Sequence, residues 1–369
     1  MKTQAAVLWE VGAPWSVEEV ELDDPQEFEV RVRLASSGLC HSDEHLTTGD
    51  LPAPLPIVGG HEGAGIVEAV GSRVTSIQEG DHVVLGFIPS CGRCVACASG
   101  HQNLCESGAS ILSGEELSGG QRIHARGQGI GTMCCLGTFS PYVIAHENST
   151  IKIDNAIPLD KASLVGCGVT TGVGSMIYAG GARPGDTVVV VGCGGIGSNA
   201  LQGARLAGAT QIVAVDPVQF KRDQAKIFGA THTAASLEEA KSLVADITRG
   251  QMANVAVIAT GVATGDLIAP TLALVGKNGT AVVTAIASWL SSEVSLSLLD
   301  MTLYEKTLKG SLFGSATPRV AIPKVLDWYM KGQFLLDEVI TKTYTLDQVN
   351  DGYQDLRDGK IIRGMITFE

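Results

Sequence analysis

Four cysteines crowd one short run of this chain, Cys91, Cys94, Cys97 and Cys105, in the pattern C-x2-C-x2-C-x7-C. Thiolates so spaced can wrap a single ion, and a closed set of four makes a structural metal site. A second set is dispersed: Cys40, His61 and Cys167, with Glu62 directly after the histidine. Three protein ligands with an open fourth position make a catalytic zinc. The run Gly192-Cys193-Gly194-Gly195-Ile196-Gly197 then follows a stretch of valines. Metal and dinucleotide sites in one chain point to redox chemistry on an alcohol or aldehyde.

Each set has competing readings. The four-cysteine run suits zinc, an iron–sulfur cluster or unligated thiols. Ferredoxin-type runs return the fourth cysteine after three residues and follow it with proline. Here the gap is seven and Glu106 follows, which favours structural zinc. His61 and Cys167, each alone, read as ordinary core residues. Context raises them. Cys40 precedes the polar cluster His41-Ser42-Asp43-Glu44-His45, and Cys167 lies where the sequence pattern changes.

The glycine motif sits between a buried strand and a helix. Gly192 permits the turn, Gly194 lets backbone approach a pyrophosphate, and Gly197 allows close helix–strand packing. Gly195 and Ile196 open the helix, whose N–H groups attract phosphate. Asp216, 19 residues past Gly197, would accept from ribose hydroxyls and repel a 2′-phosphate, favouring NAD over NADP.

These motifs need a scaffold. At 369 residues, 45% apolar, the chain suits two domains. A net charge of −13 argues against a nucleic-acid partner. No stretch reaches the ~18 apolar residues of a membrane span, and no secretory signal opens the chain. Unpaired, metal-like cysteine spacing fits a cytoplasmic location. Residues 1–160 carry short alternating runs such as Glu29-Val30-Arg31-Val32-Arg33-Leu34, the pattern of an antiparallel barrel or sandwich. Residues 106–136 read as a long Gly/Ser-rich loop. From about 170, buried strands (187–191, 211–215, 255–259, 280–286, 307–313) alternate with helices (195–206, 218–228, 237–248, 268–274), predicting a parallel sheet. A helix at 318–330 and strands near 339–343 and 362–368 rejoin the first domain.

Gly38-Leu39-Cys40-His41-Ser42-Asp43, Gly60-His61-Glu62-Gly63-Ala64-Gly65, the four-cysteine lobe, Cys167-Gly168-Val169-Thr170-Thr171-Gly172, the 192–197 motif and Ile362-Arg363 together resemble the zinc-containing medium-chain alcohol dehydrogenases. The resemblance implies an α/β plus β fold: a GroES-like β-barrel catalytic domain at 1–168 and 312–369 with both zinc sites, and a Rossmann doubly wound domain at 169–311. It implies two zinc ions per subunit, one on Cys40, His61 and Cys167, the other on the four cysteines. Asp43 would orient His61, and Glu62 would lie behind the metal. Ser42 would take the alcohol proton and pass it through the nicotinamide ribose hydroxyl to His45 at the surface. His41, Thr171, Lys221 and Arg363 would line NAD, with His41 and Arg363 at the pyrophosphate. Leu51, Phe87 and Leu312 would line the substrate channel. Cys134, Cys135 and Cys193 match no ligand position and read as packing residues.

The implied activity is reversible oxidation of primary alcohols to aldehydes by hydride transfer to NAD. The alternatives are a thiol-dependent formaldehyde dehydrogenase and, as a non-enzyme, an NAD-binding crystallin-like protein. The opening Ala5-Ala6-Val7-Leu8-Trp9-Glu10 and the stretch His41 to Pro52 are similar to actinobacterial nitroso-dimethylaniline-dependent, mycofactocin-associated dehydrogenases. That likeness implies retained NAD reoxidised by an external redox carrier. Histidine at 41, where many liver-type members carry arginine, pulls the other way, towards weaker, pH-dependent retention. The resemblance also implies a homo-oligomer, dimer or tetramer, joined through 293–313.

Overall fold

The computed structural model describes residues 1–368 and divides into two compact units, Met1–Cys167 with Thr317–Glu369, and Gly168–Ala316. In the first unit a closed barrel runs Lys2–Leu8, Ser16–Leu22, Ile123–Ala125, Gln128–Thr132, Ile57–Val58 and back to Lys2–Leu8. Val7, Leu8, Val20, Leu22, Ile57 and Ile130 fill it.

Two barrel strands lie inside the segment expected to be loop. Ile123–Ala125 and Gln128–Thr132 pair through Ala125 and Gln128. Between them, Arg126 (φ 51°) and Gly127 (φ 77°) make a two-residue turn with both φ angles positive. Such turns match the strand twist and are usually marked by Asn-Gly or Asp-Gly. Arg-Gly, among other glycines, hides the signal.

A second sheet orders Thr150–Lys152, His82–Leu85, Gly63–Val70, Glu29–Gly38, Arg363–Thr367 and Ile340–Tyr344, with Tyr142–His146 also on Glu29–Gly38. Alternation in Glu29–Gly38 turns Val30, Val32 and Leu34 onto Val67, Val83 and Val143. This strand ends just before Cys40, and Gly63–Val70 begins just after Glu62. The sheet therefore carries both ligand-bearing segments on hydrogen-bonded neighbours.

The second unit holds a parallel sheet ordered His232–Ala234, Gln211–Val215, Thr187–Val191, Ala253–Ile258, Val275–Val283 and Thr307–Gly310. Thr187–Val191 is buried along its whole length, which is why it reads as an unbroken valine run. Strand order reverses beside it, and ligands of open α/β sheets bind outside the strand ends at such a reversal. Residues 312–316, expected to rejoin the first domain, cluster with this unit instead. The turn Phe313–Ser315 packs so tightly on helix Gly168–Gly174 that a Cβ on Gly174 would come 2.4 Å from the Gly314 oxygen. The same helix takes Gly168 into the second unit.

Candidate active site

Cys40, His61, Glu62 and Cys167 converge in the first unit, all buried, with one ligand atom of each within 4.8 Å of every other. Cys40 caps the N-terminus of helix His41–Thr48. One turn along, the fully buried Asp43 turns back beneath the cluster. Its Oδ1 accepts the Gly60 N–H at 2.7 Å and lies 3.2 Å from His61 Nδ1. That contact turns the Nδ1–H towards Asp43, so Nε2 is the nitrogen that an ion would take once its proton is displaced. The Phe87 ring meets His61 edge-on at 5.7 Å. Ser42 Oγ lies 3.6 Å from Cys40 Sγ.

The charges are those of a cation site. Cys40 is held well below the usual thiol range by a hydrogen bond from Cys167 and by His61, against the cost of burial. The same bond, with burial, raises Cys167 well above it. Burial would lower His61, but Asp43 and Cys40 overcome it and hold the imidazole well above its ordinary value. Two buried thiols, an imidazole and a carboxylate suit zinc, whose binding displaces the thiol protons. Arg363 forms a buried ion pair with Glu62. From sequence, Arg363 was expected at a pyrophosphate; the guanidinium lies on the carboxylate beside the metal ligands.

The four-cysteine lobe is a different construction. Sγ–Sγ distances are 3.9 Å for Cys91–Cys97 and 3.9 Å for Cys94–Cys105, two opposite edges of a tetrahedron. Four thiolates about 2.3 Å from one zinc would stand ~3.8 Å apart. Backbone N–H groups of Cys91, Cys94 and Cys97 each point at a lobe sulfur at 3.4 Å. The Arg93 and Cys94 backbone amides lower Cys91 to about 6, while burial pushes Cys97 up to about 12. The lobe fits one ion.

His45 is not at the surface. It is buried at 3% exposure, with Nδ1 3.3 Å from Asp50 Oδ2. Helix His41–Thr48 packs the ring inward, and it is the Asp50 side chain, 28% exposed, that reaches water. Asp50 falls within the stretch His41 to Pro52, but nothing in the sequence distinguishes it from a loop acid. His41 is half-buried at the helix start, and Leu51 and Phe87 pack against the barrel core.

In the second unit Gly192 sits at φ 90°, where an added Cβ would come 2.8 Å from the Ala259 carbonyl. A Cβ on Gly197 would strike the Gly192 oxygen at 1.8 Å, whereas Gly194 faces open space. Gly195 and Ile196 begin helix Gly195–Ala207. Asp216 accepts the Cys193 N–H and the Val218 N–H, each at 2.9 Å, one on each oxygen. Each oxygen keeps a lone pair. Lys221 lies in the first turn of helix Gln219–Ile227, and Thr171 is buried in helix Gly168–Gly174. Leu312 is 42% exposed. Cys134 and Cys193 are buried thiols raised by desolvation, Cys134 to about 12. Burial likewise raises Cys135.

Residues 26–155 match the alcohol dehydrogenase GroES-like domain, and residues 195–331 the zinc-binding dehydrogenase domain. The NDMA-dependent alcohol dehydrogenase of Amycolatopsis methanolica is 52% identical over 366 residues, covering 99% of each chain. Alcohol dehydrogenase B of Mycobacterium tuberculosis is 49% identical over 370 residues, 100% of this chain and 99% of that one. The benzyl alcohol dehydrogenase of Acinetobacter calcoaceticus superposes with a TM-score of 0.93 at 30% identity, covering 100% of both chains. The chain belongs to the zinc-binding medium-chain alcohol dehydrogenase family of oxidoreductases, close to the actinobacterial NDMA-dependent enzymes.

Proposed function

We propose that this chain oxidises primary alcohols to aldehydes, reversibly, using one zinc at Cys40, His61 and Cys167 and NAD as hydride acceptor. A second zinc is held by Cys91, Cys94, Cys97 and Cys105. The observation that carries the reading is the buried convergence of two thiols, an imidazole and a carboxylate around one point. Zinc so held supplies a Lewis acid that draws electrons from an alcohol oxygen. The chain's own residues do the rest. Asp43 fixes the His61 tautomer, and Arg363 balances the Glu62 charge. Ser42 would take the alcohol proton while passing its own to the nicotinamide ribose hydroxyl. His45, one helical turn on, is the next base, and Asp50 leads outward from it. Gly192, Gly194, Gly195, Ile196 and Gly197 would cradle the pyrophosphate, and Asp216 the ribose of NAD. A thiol-dependent formaldehyde dehydrogenase is not favoured, because the relatives carry alcohol dehydrogenase names. A crystallin-like role is disfavoured by the complete ligand set.

The relatives include an NDMA-dependent enzyme, which supports retained NAD reoxidised by an external carrier. Trp289, Leu290, Leu298, Leu299 and Leu303 are each more than 60% exposed in the sequence leading to edge strand Thr307–Gly310. So many exposed apolar side chains in one stretch of sequence support a second copy as partner. Leu296 packs into its own unit's core instead. Among the described residues no single helix is long and apolar enough to cross a membrane.

Absorbance at 340 nm with a primary alcohol, with and without added NAD, tests the reading. Retained cofactor predicts a stoichiometric burst that added NAD leaves unchanged and an artificial acceptor restarts. Continuous NADH accumulation requiring added NAD would replace retention with ordinary exchange. No reduction under either condition would overturn alcohol oxidation.

A further inference from the structure

The segment returning after residue 317 does more than close a sheet. Strand Arg363–Thr367 pairs with the end of Glu29–Gly38, Met365 opposite Gly38. The Leu39 N–H donates to the Gly364 carbonyl at 3.0 Å. Helix Val349–Arg357 then presents one face to the Cys40 region. Asn350 bonds the Trp15 backbone in both directions, at 3.0 and 2.9 Å. The Tyr353 hydroxyl donates to the Cys40 carbonyl at 3.3 Å, across 313 residues of sequence. Arg357 donates to Glu44 on helix His41–Thr48 at 2.7 Å. Positions 350, 353 and 357 fall on one side of a helix. Between these grips Gly352 meets Leu39 so closely that a Cβ would approach its side chain to 2.3 Å.

The Tyr353 ring serves the other ligand segment. It stacks on Trp15 at 6.3 Å and meets Phe139 at 6.2 Å, and Trp15 meets Phe139 edge-on at 5.6 Å. Those partners wall the two glycines before His61. A Cβ on Gly59 would come 2.5 Å from Trp15, and one on Gly60 2.5 Å from Phe139. One buried side chain thus touches the backbone of the first ligand and, through its ring partners, braces the approach to the second.

We infer that Tyr353 is a positioning residue for the Cys40/His61/Cys167 metal cluster, its hydroxyl fixing the backbone of Cys40 and its aromatic partners fixing the Gly59–Gly60 approach to His61. This rests on the proposed reading that the cluster holds zinc. A hydroxyl on a backbone carbonyl, not on the metal, acts by holding a thiolate where the ion needs it. Partners behind metal ligands commonly change metal affinity by about 10–100-fold.

The test compares zinc release to EDTA from the holoprotein, wild type against Tyr353→Phe, alongside visible spectra of the cobalt-loaded proteins. Tyr353→Phe removes one oxygen and keeps the ring. We expect the dispersed cluster to release zinc about tenfold faster, with a changed cobalt–thiolate spectrum. The ion in the four-cysteine lobe, part of the same unit, should leave at the wild-type rate. Gly352→Ala keeps the hydroxyl but wedges the helix from Leu39, and should act in the same direction. Wild-type release rates and spectra in both variants overturn the inference. So does equal acceleration at both clusters, which marks a merely structural role. A wild-type protein carrying metal only in the four-cysteine lobe overturns the underlying reading as well, and is recognised before any variant is made.

Discussion

The two cysteine clusters are built in opposite ways. The four-cysteine lobe is local: its ligands fall between residues 91 and 105, Cys91 and Cys94 are partly exposed, and its own backbone amides serve the sulfurs. The Cys40/His61/Cys167 cluster is global. Its ligands come from far apart and are all buried, and three of the four clustered residues lean on a group from another segment: His61 on Asp43, Glu62 on Arg363 and Cys40 on Tyr353. A local site can close around an ion with little help. A global one exists only once the barrel and second sheet have formed, and that dependence lets the fold hold a coordination position open.

The sharpest way to break this contrast is to remove one thiolate from each cluster. Cys40→Ser should abolish turnover. Loss of several kcal/mol of transition-state stabilisation is roughly a thousandfold or more in rate. Metal analysis should show one zinc retained, and the melting temperature should barely move. Cys97→Ser should do the reverse. Losing about 3 kcal/mol of metal-coupled stability from a unit of this size lowers the melting temperature by roughly 10 °C, while the initial rate on a primary alcohol at low temperature stays within about twofold. If Cys97→Ser silences turnover before it lowers the melting temperature, the division into structural and catalytic clusters fails.

The same contrast explains what the sequence made legible. The lobe announces itself because its ligands are spaced within one short run. The parallel sheet does so because Thr187–Val191 is buried on both faces, and the turn because Gly192 and Gly197 must lack side chains. His61 and Cys167 needed family resemblance, since no spacing connects them to Cys40. What stayed hidden is long-range or weakly patterned. The Arg126–Gly127 hairpin lies among other glycines, and the surface position expected of His45 came from the resemblance, with no local pattern to show that helix His41–Thr48 buries the ring. Tyr353 and Cys40 meet across 313 residues, a separation that leaves no local signal.

A smaller effect tests how buried charge is compensated away from either cluster. Between the barrel and the second sheet, Arg122, just before Ile123–Ala125, is committed to Glu29, with bonds of 2.9 and 2.8 Å to its two oxygens. Glu116 lies near them, 3% exposed, accepting only the Thr132 hydroxyl at 2.9 Å. Its second oxygen has no hydrogen-bond partner among the described residues. Burial, reinforced by Glu29, raises its carboxyl from 4.5 to about 8. The folded chain therefore holds a proton that the unfolded chain gives up, and the associated stability, complete below pH 4.5, is lost as pH rises through about 8. The slope is at most about 1.4 kcal/mol per pH unit. Glu116→Gln supplies a permanently neutral side chain of the same shape. Melting temperatures measured from pH 5 to 8 should fall more steeply for wild type than for the variant. Parallel curves would mean that Glu116 ionises at its ordinary value, and that this part of the first unit tolerates an uncompensated carboxylate where the metal cluster pairs its own with Arg363.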